Sequence, residues 1–144
     1  MTKPTEVLLT ILSRQQFRDE AAETTKLVTE GTMRRDGEVV ELAYEESELT
    51  GLTGTTTTFR MTPQRVELER RGAVSSRMIF EAGQEDRSLY DMGFGALMIA
   101  VRAEKIRMHF DDGGGSACVA YGIAIEGQTA GRIEYRIDVR RKGV

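Results

Sequence analysis

The sequence predicts an all-β domain, one antiparallel up-and-down sheet closed into a barrel. Apolar residues recur with a period of two along most of the chain, which places them on one face of a strand. Turn signals built on glycine separate these runs at short intervals, and no window carries an apolar stripe at the helical period. With about ten or eleven strand-like runs and no helix to cover them, an open sheet would leave two raw edges and one bare apolar face. Closure removes both. A two-sheet sandwich is the alternative reading of the same pattern.

The elements follow in order. Val7, Leu9 and Ile11 alternate along the first strand. Between Ser13 and Ala22 the spacing of Ser13 and Gln16 is that of a capping box, but Phe17 and Ala21 are the only apolar pair, so this segment reads as a strand end and a polar turn. Asp36-Gly37 marks a hairpin, because glycine takes the positive φ of a type I′ turn. Val40, Leu42 and Tyr44 alternate with Glu41, Ala43 and Glu45. Glu45, Glu46 and Glu48 then read as a solvated acidic run, followed by a mobile Gly/Thr-rich loop from Thr50 to Thr58. Phe59 and Met61 are separated from Val66 and Leu68 by Pro63, whose fixed φ suits the second position of a turn. Met78 and Phe80, then Leu97, Ile99 and Val101, then Ile106, Met108 and Phe110 continue the pattern. The last strand is the clearest, with Ile133, Tyr135, Ile137 and Val139 between Arg132, Glu134, Arg136, Asp138 and Arg140. Gly72, Gly83, Gly113 to Gly115, and Gly127 to Gly131 punctuate the rest.

Composition narrows the function classes. At 144 residues the chain has the size of one domain, residues 1–144, with one core. Its 20 basic and 23 acidic residues are interleaved and leave a net charge of −3, which offers no basic field to a phosphate backbone and argues against a nucleic-acid partner. No apolar run approaches the roughly 18 residues that span a membrane, and the opening segment lacks the form of a secretion signal. Cys118 is the only cysteine, so no disulfide forms within the chain and a reducing cytoplasm is expected. It reads as a small packing residue rather than a nucleophile.

Two strands are apolar on both faces. From Ala117 to Ile125, Val119, Tyr121, Ile123 and Ile125 oppose Cys118, Ala120, Gly122 and Ala124; before them, Leu97, Ile99 and Val101 oppose Ala96, Met98 and Ala100. A solvated face carries charge, so something covers these small residues. If the bulky face fills the barrel, Ala96, Met98, Ala100, Cys118, Ala120, Gly122 and Ala124 form an outer interface, which favours a homodimer. If the small face points inward, it leaves room for an apolar ligand.

Other features carry less. Tyr44, Tyr90, Tyr121 and Tyr135 mostly fall on the apolar sides of their strands, where phenols either hold a ligand head group at the barrel mouth or pack in the core. His109 lies on the polar side of its run, and with Asp111 and Asp112 it makes too poor a ligand set for a metal. The run Asp111-Asp112-Gly113-Gly114-Gly115-Ser116 lacks the ligand spacing of a calcium loop and the lysine of a phosphate loop, and reads as a flexible hairpin connection. Gly93-Phe94-Gly95 lacks the third glycine of a dinucleotide site and reads as a bulge or corner.

The stretches Gly72-Ala73-Val74, Phe80 and Tyr90-Asp91-Met92-Gly93-Phe94-Gly95-Ala96-Leu97, together with Gly31, Tyr44-Glu45-Glu46 and Ala120-Tyr121, resemble the pattern of the YwiB-like family of bacterial proteins from about Val7 to Val139. The resemblance implies a calycin-like barrel, of the topology of lipocalins and fatty-acid-binding proteins, in a bacterial cytoplasm. It transfers no catalytic or binding residue, and the runs from Asp111 to Ser116 and Thr55 to Thr58 depart from it. The leading expectation is a non-enzymatic barrel that binds a small apolar molecule, without cofactor or metal. A protein-interaction module acting through the outer face is the second, and an enzyme, which would need Glu46, His109 or Asp111 to converge, is the third.

Overall fold

The computed structural model describes residues 3–91 and 93–143, so Met92 of the family-like stretch lies outside the described residues. The strands are β1 (Thr5–Phe17), β2 (Glu23–Asp36), β3 (Val39–Glu45), β4 (Thr55–Met61), β5 (Arg65–Gly72), β6 (Ser76–Glu81), β7 (Glu85–Asp91), β8 (Ala96–Asp111), β9 (Gly114–Ile125) and β10 (Gln128–Arg141). They form one antiparallel sheet in the order β6-β5-β4-β3-β2-β1-β10-β9-β8-β7. Sequence neighbours pair throughout, and β1 pairs with β10. The up-and-down barrel expected from the alternation is therefore present, and the sandwich is not.

Closure is nearly complete. The two ends of the order meet where Ser75 and Asp91 exchange backbone hydrogen bonds of 2.9 Å, and Ala82 bridges Ala103. Between these points the Asp86 carboxylate accepts the Ile79 N–H at 3.0 Å, a side chain standing in for a missing ladder bond. The strand β7 was not visible as an apolar alternation because its residues facing the barrel side are Asp86, Ser88 and Tyr90, all half-buried.

The core is the inner face of the other strands. Val7, Leu9, Val40, Leu42, Met61, Val66, Leu68, Phe80, Val101 and Val119 are all but inaccessible. On β8 the inward set changes from Ile99, Val101 and Ala103 to Ile106, Met108 and Phe110, a change of parity that a bulge between Ala103 and Lys105 absorbs. This bulge lies within β8, whereas Gly93-Phe94-Gly95, expected as a bulge or corner, simply joins β7 to β8.

Two segments expected to be loops are ordered differently. Thr55 to Thr58, read as the tail of a mobile loop, begins β4, and Thr55 and Thr57 are buried inside the barrel. The β-branched residue suits the pleat, and each hydroxyl has a partner: Thr55 Oγ1 accepts from Val74 N at 3.2 Å and Thr57 Oγ1 donates to Glu46 Oε2 at 2.6 Å. The glycine run is a tight turn, with Gly113 N donating to Asp111 Oδ1 at 2.8 Å, and its last two glycines are strand residues. A Cβ on Gly114 or Gly115 would run into the carbonyl oxygen of Val139 or His109, so these glycines allow close approach and not mobility.

One departure from regular pairing positions the site. The β2–β3 ladder runs only from Asp36↔Val39 to Thr32↔Ala43, after which residues 23–31 of β2 continue paired with β1. Gly31 sits at the parting, where a Cβ would press on the Ala43 carbonyl oxygen and lie 2.8 Å from Leu9 Cδ1. Gly31→Ala is accordingly expected to cost about 1–3 kcal/mol, the usual penalty of overpacking, in denaturant unfolding. An unchanged midpoint would mean that the parting relaxes freely.

Candidate functional site

A cleft of about 630 Å³ opens into the barrel where β2 parts from β3. Ile11, Ser13, Leu27, Tyr44, Arg70 and Tyr135 are among the residues that line it, with Glu46 and the β3–β4 loop residues Leu49 and Leu52 at its side. Leu49 is 88% exposed, so the loop borders the cleft without sealing it.

Strand parity places each polar group. On β5 the inward positions are Val66, Leu68 and Arg70, so the same pleat that buries two aliphatic residues turns a guanidinium into the barrel. On β3 they are Val40, Leu42 and Tyr44, and the next inward position is Glu46. Of the four tyrosines singled out in the sequence, Tyr44 and Tyr135 line the cleft, and Tyr90 and Tyr121 lie near it. Tyr135 is within hydrogen-bonding reach of Arg70, the charge of Arg70 is felt at Tyr44, and Tyr90 stands close enough to act on Arg70. Tyr121 lies behind, stacked on Tyr135 at 6.1 Å and against Phe80 at 4.4 Å between ring centroids. Phe59 meets Tyr135 edge-on at 6.2 Å. These rings pack beneath the cleft, within the buried core.

The electrostatics are those of a cation among neutral phenols. Burial works to lower the Arg70 pKa, but the surrounding Tyr135, Tyr90 and Tyr44 hydroxyls raise it on balance, so the guanidinium stays charged. No salt bridge among the described residues includes Arg70. Glu46, expected to be a solvated charge, is instead buried and held by Thr57.

Burial above all, and then the Glu46 charge, push the Tyr44 phenol far above its ordinary range, while Arg70 partly offsets them. Burial does the same to Tyr121. Both phenols hold their proton more tightly in the folded chain than in the unfolded one. Their contribution to stability is intact below the ordinary phenol pKa of about 10 and is lost as pH climbs past it. In an ultraviolet titration of phenolate, Tyr44 and Tyr121 are expected to ionise only as the barrel unfolds; their ionisation while it stays folded would contradict the burial.

The outer wall resolves the two-sided strands. Ala117, Val119, Tyr121, Ile123 and Ile125 face inward, so the small face is outside. Cys118 has Arg107 and Arg136 as cross-strand neighbours, and Ala120 has Lys105 and Glu134. Ala120 is completely buried beneath these long stems, as charged side chains cover apolar surface while keeping their heads in water. Gly122, Ala124 and Ala100 are half-buried in the same wall. Ala96 and Met98 are exposed, and Met98 pairs across the ladder with Leu89, also exposed. The seven residues expected at an interface thus share the outer face, but the chain itself covers part of it.

Residues expected only for catalysis or metal binding lie apart. His109 is exposed on the outer wall beside Ser116, and Asp111 belongs to the β8–β9 turn at the barrel end opposite the cleft. Among the described residues no group of three His, Cys, Asp or Glu side chains is placed to hold a metal. No helix there is long and apolar enough to cross a membrane.

A family model described as Domain of unknown function (DUF1934) matches residues 9–137. No curated protein matches the chain significantly. Among solved structures, that of the ywiB protein from Bacillus subtilis superposes with a TM-score of 0.86 at 23% identity, covering 97% of this chain and 94% of that one. The barrel is common to both, and the YwiB-like resemblance read from the sequence is borne out.

Proposed function

The chain belongs to the family described as Domain of unknown function (DUF1934), which brings no activity with it, and from the cleft alone we propose that the protein is a non-catalytic barrel that binds a small, largely apolar molecule. The observation that carries this reading is the opening of about 630 Å³ where β2 leaves β3, above the roughly 300 Å³ at which sites for small molecules begin. Ile11, Leu27 and Leu52 supply the apolar lining and the tyrosines a few oriented polar groups, the mixture such sites use. The ligand sits at the mouth, above the packed rings of Tyr121, Phe80 and Phe59. Catalysis is disfavoured by the separation of Glu46 from His109 and Asp111. The lone Cys118 supports a cytoplasmic setting.

Native mass spectrometry of the protein purified from its own host tests the proposal. A retained small molecule, lost on substituting Tyr44 by Phe together with Leu27 by Glu, is the expected result; a ligand whose retention ignores both changes would place binding elsewhere.

A second reading has its own observation. Leu89 and Met98, 57% and 41% exposed, lie side by side on the outer face next to exposed Ala96, an apolar patch of the kind that meets a partner. A second copy of the chain is the occupant proposed. A dimer in sedimentation that Met98→Lys dissolves would support it, and a monomer at micromolar concentration would dispose of it.

A further inference from the structure

Tyr135 reaches Arg70 and Tyr44 reaches Glu46, yet single polar atoms in and beside the cleft stay unsatisfied. Arg70 Nε and Glu46 Oε1 are buried without a hydrogen-bond partner, and so is Ser76 Oγ, directly across the β5–β6 ladder from Arg70. Buried polar atoms are almost always paired, and an orphan asks for an explanation. Here a donor and an acceptor of opposite charge line one cleft, and Tyr44 feels both. Yet no salt bridge joins them among the described residues. A guanidinium with a free edge presents the planar fork that matches a carboxylate. A carboxylate oxygen without a donor presents the complement of an ammonium or a hydroxyl.

The balance of charge sharpens this. The charged residues that line the cleft are Lys26, Glu46 and Arg70, one carboxylate against two cations. A monoanion or a zwitterion suits that balance, whereas a dianion such as a phosphate monoester would face Glu46 with charge to spare. Ser76 Oγ can donate to an oxyanion bound at Arg70, and Tyr135, braced by Tyr121, holds the guanidinium from the other side.

Resting on the reading of this cleft as a ligand site, we propose that its ligand is a compact carboxylic acid that also bears a hydrogen-bond donor, an ammonium or a hydroxyl, on an apolar body. Arg70 and Ser76 take the carboxylate, Glu46 takes the donor, and Ile11, Leu27 and Leu52 take the body. An amino acid or hydroxy acid with an apolar side chain is the chemical class.

Four probes sharing one phenyl-bearing body separate the parts: L-phenylalanine, 3-phenylpropionate, phenethylamine and 3-phenyl-1-propanol, each titrated into the full chain and followed by backbone amide shifts. L-phenylalanine is expected to bind about tenfold more tightly than phenethylamine, with 3-phenylpropionate between them. Arg70→Met lowers the affinity of both carboxylates about tenfold and leaves that of the propanol unchanged. Glu46→Gln weakens L-phenylalanine but not 3-phenylpropionate. Equal binding of all four at the cleft would overturn the carboxylate assignment while leaving the binding barrel standing. Silence from all four at millimolar concentration would overturn both, and a phenylalanine affinity unmoved by either variant would overturn the assignment of Arg70 and Glu46.

Discussion

Arg70→Met is expected to make the barrel more stable, by about 1–4 kcal/mol in denaturant unfolding, while it weakens carboxylate binding about tenfold. The expectation follows from what surrounds the guanidinium. Its Nε is buried without a partner, its neighbours are tyrosines, and among the described residues no carboxylate forms a salt bridge with it. Removing a charge from such a place relieves its desolvation, and methionine is flexible enough to fill the space left by the arginine stem. A gain of stability with a loss of binding is what a group retained for function produces. The opposite result, a loss of several kcal/mol, would mean that the arginine–tyrosine cluster holds the barrel together and that its charge is structural.

Phe80→Ala is expected to cost about 3–5 kcal/mol. Phe80 is 1% exposed on β6 and packs on Tyr121 at 4.4 Å between ring centroids, and among the described residues β6 forms no ladder with β7, the seam being held by the Asp86 carboxylate and by bridges at Ser75 and Ala82, the residues on either side of β6. The cavity would therefore open beside the weakest part of the wall, in the floor of the cleft. The same variant should also loosen the hold of Tyr121 and Tyr135 on Arg70, so binding would weaken in step with stability. A cost below about 1 kcal/mol would show that the wall collapses onto the gap, since the penalty depends on how well a site can close.

Much of this was legible in the residues. The pleat is local, so alternation alone identified which side chains of β1, β3, β4, β5, β6 and β10 face inward, and the Asp36-Gly37 turn was read where it stands. Arg70 was missed although the signal existed: within Glu67 to Arg71 it looks like one more surface charge, but counting by twos from Val66 and Leu68 puts it inside. Glu46 was missed in the same way, since counting on from Tyr44 places it on the buried face. A polar residue at an inward position is easily discounted as a break in the pattern, when it is the pattern that carries the information. The strand β7 could not be found this way, because polar residues at the seam leave no apolar period to read.

By itself the sequence determined that the chain is all-β and that its sheet runs up and down, since the backbone pleat and the turn residues act within a few positions of one another. Only the tertiary structure decided that β2 parts from β3 at Gly31, that the small face of β9 turns outward beneath arginine and lysine stems, and that Arg70, Glu46 and the tyrosines meet at one mouth. Those outcomes depend on the register and closure of strands far apart along the chain. Alternation says which way a side chain points, but pairing across the whole sheet says what it meets there.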